Sequence, residues 1–288
     1  MAAKPIDILQ CNLRRCSEST QEFIQYFMSN KYSIALITEP YVGRSTSLYN
    51  ITGVDVFQFP STNADASHRH VKACILVKQR AATAIGCSQY ASTNLSAIQM
   101  SMDGRRLFIA SAYIEPDVDT IRTIDKLNHF IDVNKGALIV VGADGNGHHT
   151  EWGCIDTNER GVDLSDLIAS TNMSIANDGR SPTFEVYRNG RDITTIVDIT
   201  FATNNLIDKI TDWHVSHEAC VSSDHNAISF KIQGSADRST PRSSTYLYNN
   251  KTANWEKFRE VVDVHRQLEC RWTRDACCRH DDSHPIGM

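Results

Sequence analysis

Seven short runs of apolar, largely β-branched residues recur along this chain, and each stops abruptly at polar residues. Ile6-Asp7-Ile8-Leu9-Gln10 runs into Cys11-Asn12, Ile34 to Thr38 into Glu39-Pro40, and Ala73 to Val77 into Lys78. Leu107 to Ala112 ends at Tyr113, and Ala137 to Val141 ends at Gly142-Ala143-Asp144-Gly145-Asn146. Ile196 to Phe201 and Ala227 to Ile232 complete the set. Runs of this length and composition are strands, mostly buried ones. Helical spacing of three and four separates some of them: Phe23, Ile24, Phe27 and Met28 within Ser17–Met28, and Ile121, Ile124, Leu127 and Ile131 within Asp119–Val133. A third pattern holds Leu164, Ser165, Leu167 and Ile168. Strand and helix mix without strict βαβ alternation, which predicts an α+β fold with sheets packed face to face.

Composition narrows the function. Residues 1–232 carry 20 basic and 26 acidic side chains, whereas residues 233–288 are nearly neutral, with 9 basic and 8 acidic. A non-specific polyanion binder shows a basic surplus, so nucleic acid would need a local basic surface and a metal here. No apolar run reaches the roughly 18 residues of a membrane helix, and MAAKPIDILQ lacks the apolar stretch of a signal peptide. No membrane partner is expected. Nine cysteines without a CxxC pair do not form a disulfide framework, and they predict a reducing, intracellular location. After Ile232 a polar stretch, Gly234 to Ser244, reads as a linker. Trp255 to Leu268 then reads as a short helix. The boundary predicts a domain over 1–232 and an appended segment over 233–288.

Functional groups on such a framework belong where strands hand over to loops, because the sheet is rigid and the loop is open. Those handover points carry Asn12, Glu39, Tyr113, Asp144 with Asn146, and Asp224 with His225 just before the last strand. Asp198 lies inside an apolar strand, where a carboxylate is costly unless paired or hydrogen-bonded. Together they point to one convergent site.

The ordered set Gln10-Cys11-Asn12, Thr38-Glu39-Pro40-Tyr41, Ser111-Ala112-Tyr113, Gly142-Ala143-Asp144-Gly145-Asn146, Ile196-Val197-Asp198 and Ser222-Ser223-Asp224-His225 resembles the endonuclease/exonuclease/phosphatase superfamily. Within it, the chain is similar to the apurinic-type endonuclease domains of non-LTR retrotransposons, the group that includes the jockey and I elements. Glu-Pro-Tyr, Ser-Asp-His and the stretch His148-His149-Thr150-Glu151-Trp152-Gly153 are the most specific parts. The resemblance covers about residues 5–232, and the tail Tyr246–Phe258 resembles the segment that leads to a reverse transcriptase. No polymerase motif occurs in the sequence itself. The resemblance implies a four-layer α/β-sandwich, with two mixed β-sheets packed face to face and flanked by helices. It also implies a nuclear DNA endonuclease that uses Mg2+ or Mn2+, acts on double-stranded DNA and leaves a 3′-hydroxyl for target-primed reverse transcription. The chain departs from the pattern in two places. Gly145 stands where the superfamily commonly has Phe, which removes a side chain that would help fix the loop. Arg14 stands where many apurinic endonucleases have an acid, which replaces a second metal ligand with a basic group.

Phosphodiester hydrolysis needs a nucleophilic water, neutralised phosphate charge and help for the leaving oxygen. Glu39 is the expected ligand for a hard cation, and Asn12 supplies a neutral oxygen or a supporting hydrogen bond. By resemblance, Asp144 orients and deprotonates the water. Asn146, two residues on and so on the same face of an extended strand, holds a phosphate oxygen. His225 stabilises the pentacovalent phosphate with Tyr113 donating beside it. Its carboxylate partner is the adjacent Asp224 or, by resemblance, Asp198, with Asp224 then nearer the metal. Arg14, Arg15 and Thr183 are candidate DNA contacts, as is the cluster His68-Arg69-His70 with Lys72. His148-His149 reads as a loop cap, and Asp103-Gly104 before Arg105-Arg106 as a hairpin turn. Cys270, Cys277, Cys278, His280 and His284 lack the spacing of common zinc sites. Two other readings compete: a catalytically degenerate or domesticated nucleic-acid-binding copy, and a phosphodiesterase of the same fold acting on phosphoinositide or sphingomyelin.

Overall fold

A computed structural model describes residues 4–60, 70–116 and 121–234. The expectations for His68 and Arg69, for the first residues of the 119–133 helix, and for everything after Gly234 lie outside these residues. Among the described residues, no helix is long and apolar enough to cross a membrane.

The seven expected strands all form. They are β1 (Ile6–Asn12), β2 (Ile34–Thr38), β4 (Ala73–Lys78), β7 (Arg105–Tyr113), β8 (Leu138–Asp144), β12 (Asp198–Thr203) and β14 (Ala227–Ile232). Seven more lack a wholly apolar run: β3 (Val54–Gln58), β5 (Ile85–Gly86), β6 (Leu95–Met102), β9 (Met173–Ile175), β10 (Phe184–Arg188), β11 (Arg191–Thr195) and β13 (Ile210–Ser216). Most of these are edge or hairpin strands with one wet face, so polar residues interrupt their pattern. Two six-stranded mixed sheets result, ordered β13-β14-β1-β2-β4-β3 and β5-β6-β7-β8-β12-β9, while β10 and β11 pair separately as a ribbon. Asp103 and Gly104, both with positive φ, turn β6 into β7 as the dipeptide predicts.

Alternation along the strands decides the layers. Ile8, Ile34, Leu36, Ile75, Ile109, Val140 and Phe230 point inward and form a core between the sheets. Their neighbours Leu9, Ala35, Ile37 and Leu76 face α1 (Ser17–Ser29), where they meet Phe23 and Phe27. On the other side, Phe108, Ala110, Ile139 and Val141 face α2 (Ile121–Val133) and α3 (Glu159–Ser170) through Leu127, Phe130, Leu164 and Ile168. The four layers are therefore helix, sheet, sheet, helix. Each fully buried side chain of this size contributes roughly 1.5–3 kcal/mol.

Pairing direction places the site. β1 is parallel to β2, and β7 is parallel to β8, so Asn12, Thr38, Tyr113 and Asp144 all end their strands at one pole. β14 runs antiparallel to β1 and β12 antiparallel to β8, so the starts of those strands, with His225 and Asp198, reach the same pole.

Candidate active site

Two carboxylates flank one amide at this pole. Asn12 Nδ2 donates to Asp144 Oδ2 (2.6 Å) and to Glu39 Oε2 (3.2 Å), while Asn12 Oδ1 accepts from the Arg14 backbone N–H (2.7 Å). One lone pair of the oxygen thus serves the turn. Of the two roles expected for Asn12, the structure displays the supporting hydrogen bond. The second oxygen of Asp144 accepts from the backbone N–H of Asn146 (3.1 Å), so both of its oxygens are aimed. Burial, and then the negative charge of Asp198, push the Asp144 carboxyl up to about 7, against the opposing pull of His225 and Asn12.

His225 Nδ1 donates to Asp198 Oδ2 at 2.8 Å, and both residues are buried. That resolves the choice of partner in favour of Asp198. Burial alone would lower the imidazole. The charge and hydrogen bond of Asp198, with Asp144 and Glu39 behind it, instead raise it to about 9. The ring stands edge-on to Phe184 at 5.0 Å. Asp224 is engaged elsewhere, 2.5 Å from Arg14 and 4.0 Å from Arg188. Tyr113 is buried against Glu39 and Asp144. Burial first, and then those charges, push its hydroxyl upward, so it stays a proton donor.

Backbone strain accompanies these positions. Arg14, Arg15, Glu39 and Asn146 all have positive φ, between 45° and 54°, a region uncommon for residues other than glycine. Asn146 is consequently not on the extended face expected for it. β8 ends at Asp144, the chain turns, and Asn146 Nδ2 donates one hydrogen to the Ile114 carbonyl (3.0 Å). Its second amide hydrogen remains for a ligand.

Two expected DNA contacts, Thr183 and Lys72, are corrected. Thr183 is fully buried, and its hydroxyl accepts from the backbone N–H groups of Val197 and Asp198, both at 3.0 Å. It fixes the start of β12 and presents nothing to a ligand. Lys72 is buried against Glu115 rather than exposed as a phosphate contact. Arg14 and Arg15 are about half exposed, yet each faces an acid: Arg14 meets Asp224, and Arg15 meets Glu39 at 2.8 Å. His148 pairs with Asp156, and His149 Nδ1 caps the short turn Thr150–Trp152, in keeping with a loop role. Gly145 does not leave its loop loose. Its N–H donates to the Val197 carbonyl (2.9 Å), and a Cβ there would lie 2.9 Å from Leu164. Two residues on, Gly147 packs backbone to backbone on Gly161 at the start of α3, where a Cβ on Gly161 would lie 1.8 Å from the His148 carbonyl oxygen.

A cleft of about 480 Å³ opens beside His225 and Asn146, walled by Phe184, Pro182, Ile193 and Val197. One wall belongs to the β10–β11 ribbon, which sequence reading missed. Its signal was present in Asn189-Gly190, a dipeptide that favours the positive φ both residues adopt.

Ligand atoms of Asp144, Asp198 and His225 lie within 4.8 Å of one another. Within it, His225 Nδ1 is already committed to Asp198. A hard cation is better matched by the oxygens of Glu39, which stands beside the Asn12 amide. Glu39, Asp144 and Asp198 outnumber the cations Arg15 and His225 that face them, an acidic excess that a divalent cation would relieve.

Comparison with known proteins agrees with this geometry. Residues 107–229 match the family described as endonuclease-reverse transcriptase. The endonuclease domain of TRAS1, a telomere-specific non-LTR retrotransposon, is 30% identical, with a TM-score of 0.69 over 79% of this chain and 98% of that one. The AP endonuclease LMAP of Leishmania major is 8% identical, with a TM-score of 0.63 over 81% and 89% of the two chains. The 3′-5′ exonuclease NExo of Neisseria meningitidis is 10% identical, with a TM-score of 0.57 over 79% and 100%. These last two share the fold. No curated protein sequence matches. Identity at the level of TRAS1 across nearly all of its domain extends past the fold, and the chain belongs to the endonuclease/exonuclease/phosphatase superfamily, among the endonuclease domains of non-LTR retrotransposons.

Proposed function

We propose that the chain is a divalent-metal-dependent DNA endonuclease that nicks one strand by hydrolysis and leaves a 3′-hydroxyl. The observation that carries this reading is the geometry at one pole: the buried Asp144 carboxylate, aimed by Asn12 and the Asn146 N–H, stands with His225, which Asp198 holds at 2.8 Å. A base near neutral pH accepts a proton efficiently, and a cation beside it stabilises charge developing on phosphate.

Glu39 would hold Mg2+ or Mn2+, which would supply charge neutralisation at the phosphate. Asp144, oriented by Asn12 and the Asn146 N–H, positions the attacking water and takes its proton. His225 donates from Nε2 to a phosphate oxygen, Tyr113 donates from its hydroxyl, and Asn146 offers its remaining amide hydrogen. Arg14 and Arg15, paired yet half exposed, exchange their acids for DNA phosphates on binding. On this reading residues 1–232 are the nuclease domain, residues 233–288 lead toward a reverse transcriptase, and the protein works in the nucleus on chromosomal DNA. The description of the matching family, endonuclease-reverse transcriptase, supports that organisation.

Supercoiled plasmid with magnesium tests the proposal. Open circles should form, and a DNA polymerase should extend the nicks without prior end repair. Glu39→Ala should lose the activity. Nicking that survives in Glu39→Ala or in excess chelator sinks the metal assignment, and nicks that cannot be extended sink the 3′-hydroxyl.

A further inference from the structure

Each sheet delivers half of the site. Glu39 follows β2 in the first sheet and Tyr113 ends β7 in the second, so their spacing depends on how the sheets are joined at this pole. The join is a closed circuit. Lys72, just before β4, is buried with 7% of its side chain exposed, and its ammonium pairs with Glu115, two residues past Tyr113. Asn94 Nδ2 donates to Glu115 Oε1 (2.9 Å) and to the Tyr113 carbonyl (3.1 Å), and the Tyr113 N–H returns a bond to the Asn94 carbonyl (2.8 Å). On the opposite side, the Glu39 N–H donates to the Lys72 carbonyl (2.8 Å), and the N–H groups of Lys72 and Ala73 both donate to the Thr93 carbonyl. Thr93 Oγ1 closes the circuit on Asn94 Oδ1 at 2.8 Å.

Stability is a poor explanation for this arrangement, because a buried ion pair can often be exchanged for apolar residues at no loss. Geometry explains it better. The Lys72 backbone carries the amide of Glu39, its side chain reaches across to the other sheet, and Asn94 clamps Tyr113 from both sides. Glu115 is held below the ordinary carboxylate value by Lys72 and Asn94 despite its burial, so its carboxylate stays charged.

We propose that Lys72, Glu115 and Asn94 are positioning residues that brace the two sheets and set the spacing between Glu39 and Tyr113. The inference rests on the nuclease reading above.

The test uses the full chain with Lys72→Met/Glu115→Leu as a double variant, Lys72→Arg, and Asn94→Ala. The double variant should fold with nearly unchanged Tm. Its kcat for nicking should fall at least about tenfold, equivalent to roughly 1.4 kcal/mol of lost transition-state stabilisation. KM for DNA should hardly move, and the magnesium midpoint should rise. Amide hydrogen exchange at Glu39 and Tyr113 should accelerate in parallel, whereas Lys72→Arg, which keeps a cation facing Glu115, should retain most of the parental kcat. A folded double variant with unchanged kcat, or with only a raised KM, overturns the brace. If the double variant does not fold, Asn94→Ala, which leaves the ion pair intact, must show the same split between kcat and KM, and a parental kcat in it overturns the brace. An inert parent instead overturns the nuclease reading, and the exchange measurement then decides the brace alone: unchanged exchange at both amides refutes it.

Discussion

Replacing Asp198 by Asn isolates the electrostatics of the site, because the amide keeps the shape and removes the charge 2.8 Å from His225 Nδ1. In the parent, His225 is raised from 6.5 to about 9. That difference corresponds to roughly 3 kcal/mol favouring the imidazolium. Without the carboxylate the opposing effect of burial remains, so the imidazole returns to its ordinary value or below. At pH 7.5 the protonated fraction then falls from nearly all to about one in ten or less, which predicts at least a tenfold loss in kcat/KM from protonation alone. The loss should depend on pH. The alkaline limb of the parental profile should lie near 9, and in Asp198→Asn it should move down by two pH units or more, so that activity partly returns toward pH 6. The limbs belong to the interacting set of Asp144, Asp198 and His225, and the shift rather than either absolute value is diagnostic. The assay is single-strand nicking of a short duplex at saturating magnesium from pH 5.5 to 10. A uniform loss at all pH values, with the limb unmoved, would refute the reasoning and reduce Asp198 to an aligning group.

Three further outcomes follow from the same geometry. Asp144 binds its proton more tightly folded than unfolded, so it favours the fold below about pH 4, and that contribution is lost as pH rises through about 7. Asp144→Asn should therefore abolish nicking and make the loss of Tm between pH 4 and pH 8 shallower than in the parent, and an equally steep loss would contradict the direction of its shift. Thr183→Val strips the acceptor from two buried N–H groups at the start of β12 and should cost about 2–4 kcal/mol in urea unfolding. Gly161→Ala forces a Cβ onto the His148 carbonyl and should destabilise the fold by about 2 kcal/mol or more, measured the same way. A neutral result at Gly161 would mean that the loop after β8 moves freely.

The site was legible where its signal is local. A strand buried on both faces must be apolar along its length, so β1, β2, β4, β7, β8, β12 and β14 announced themselves. The polar residue that ended each run marked a position at which side chains leave the core. The largely buried β6, interrupted by Ser96 and Gln99, and the half-wet β13 could not be read this way, because an apolar pattern broken by polar residues looks like a loop. The ribbon of β10 and β11 has almost no buried face, and only its Asn-Gly turn betrayed it.

Residue types and their order along the chain determined that carboxylates, an imidazole, amides and a phenol would stand at strand ends. Their partnerships are another matter. His225 is adjacent in sequence to Asp224, yet it pairs with Asp198, 27 residues away, because β14 and β12 both begin at the pole where β1 and β8 end. Arg14, Lys72 and Thr183 looked alike as candidate contacts, but burial and pairing separated a half-exposed cation, an inter-sheet brace and a backbone anchor. Protonation was equally out of reach of the sequence. The value of a carboxyl or an imidazole depends on how much water is removed and which charge lies within a few ångströms, and both are properties of strands brought together from distant parts of the chain.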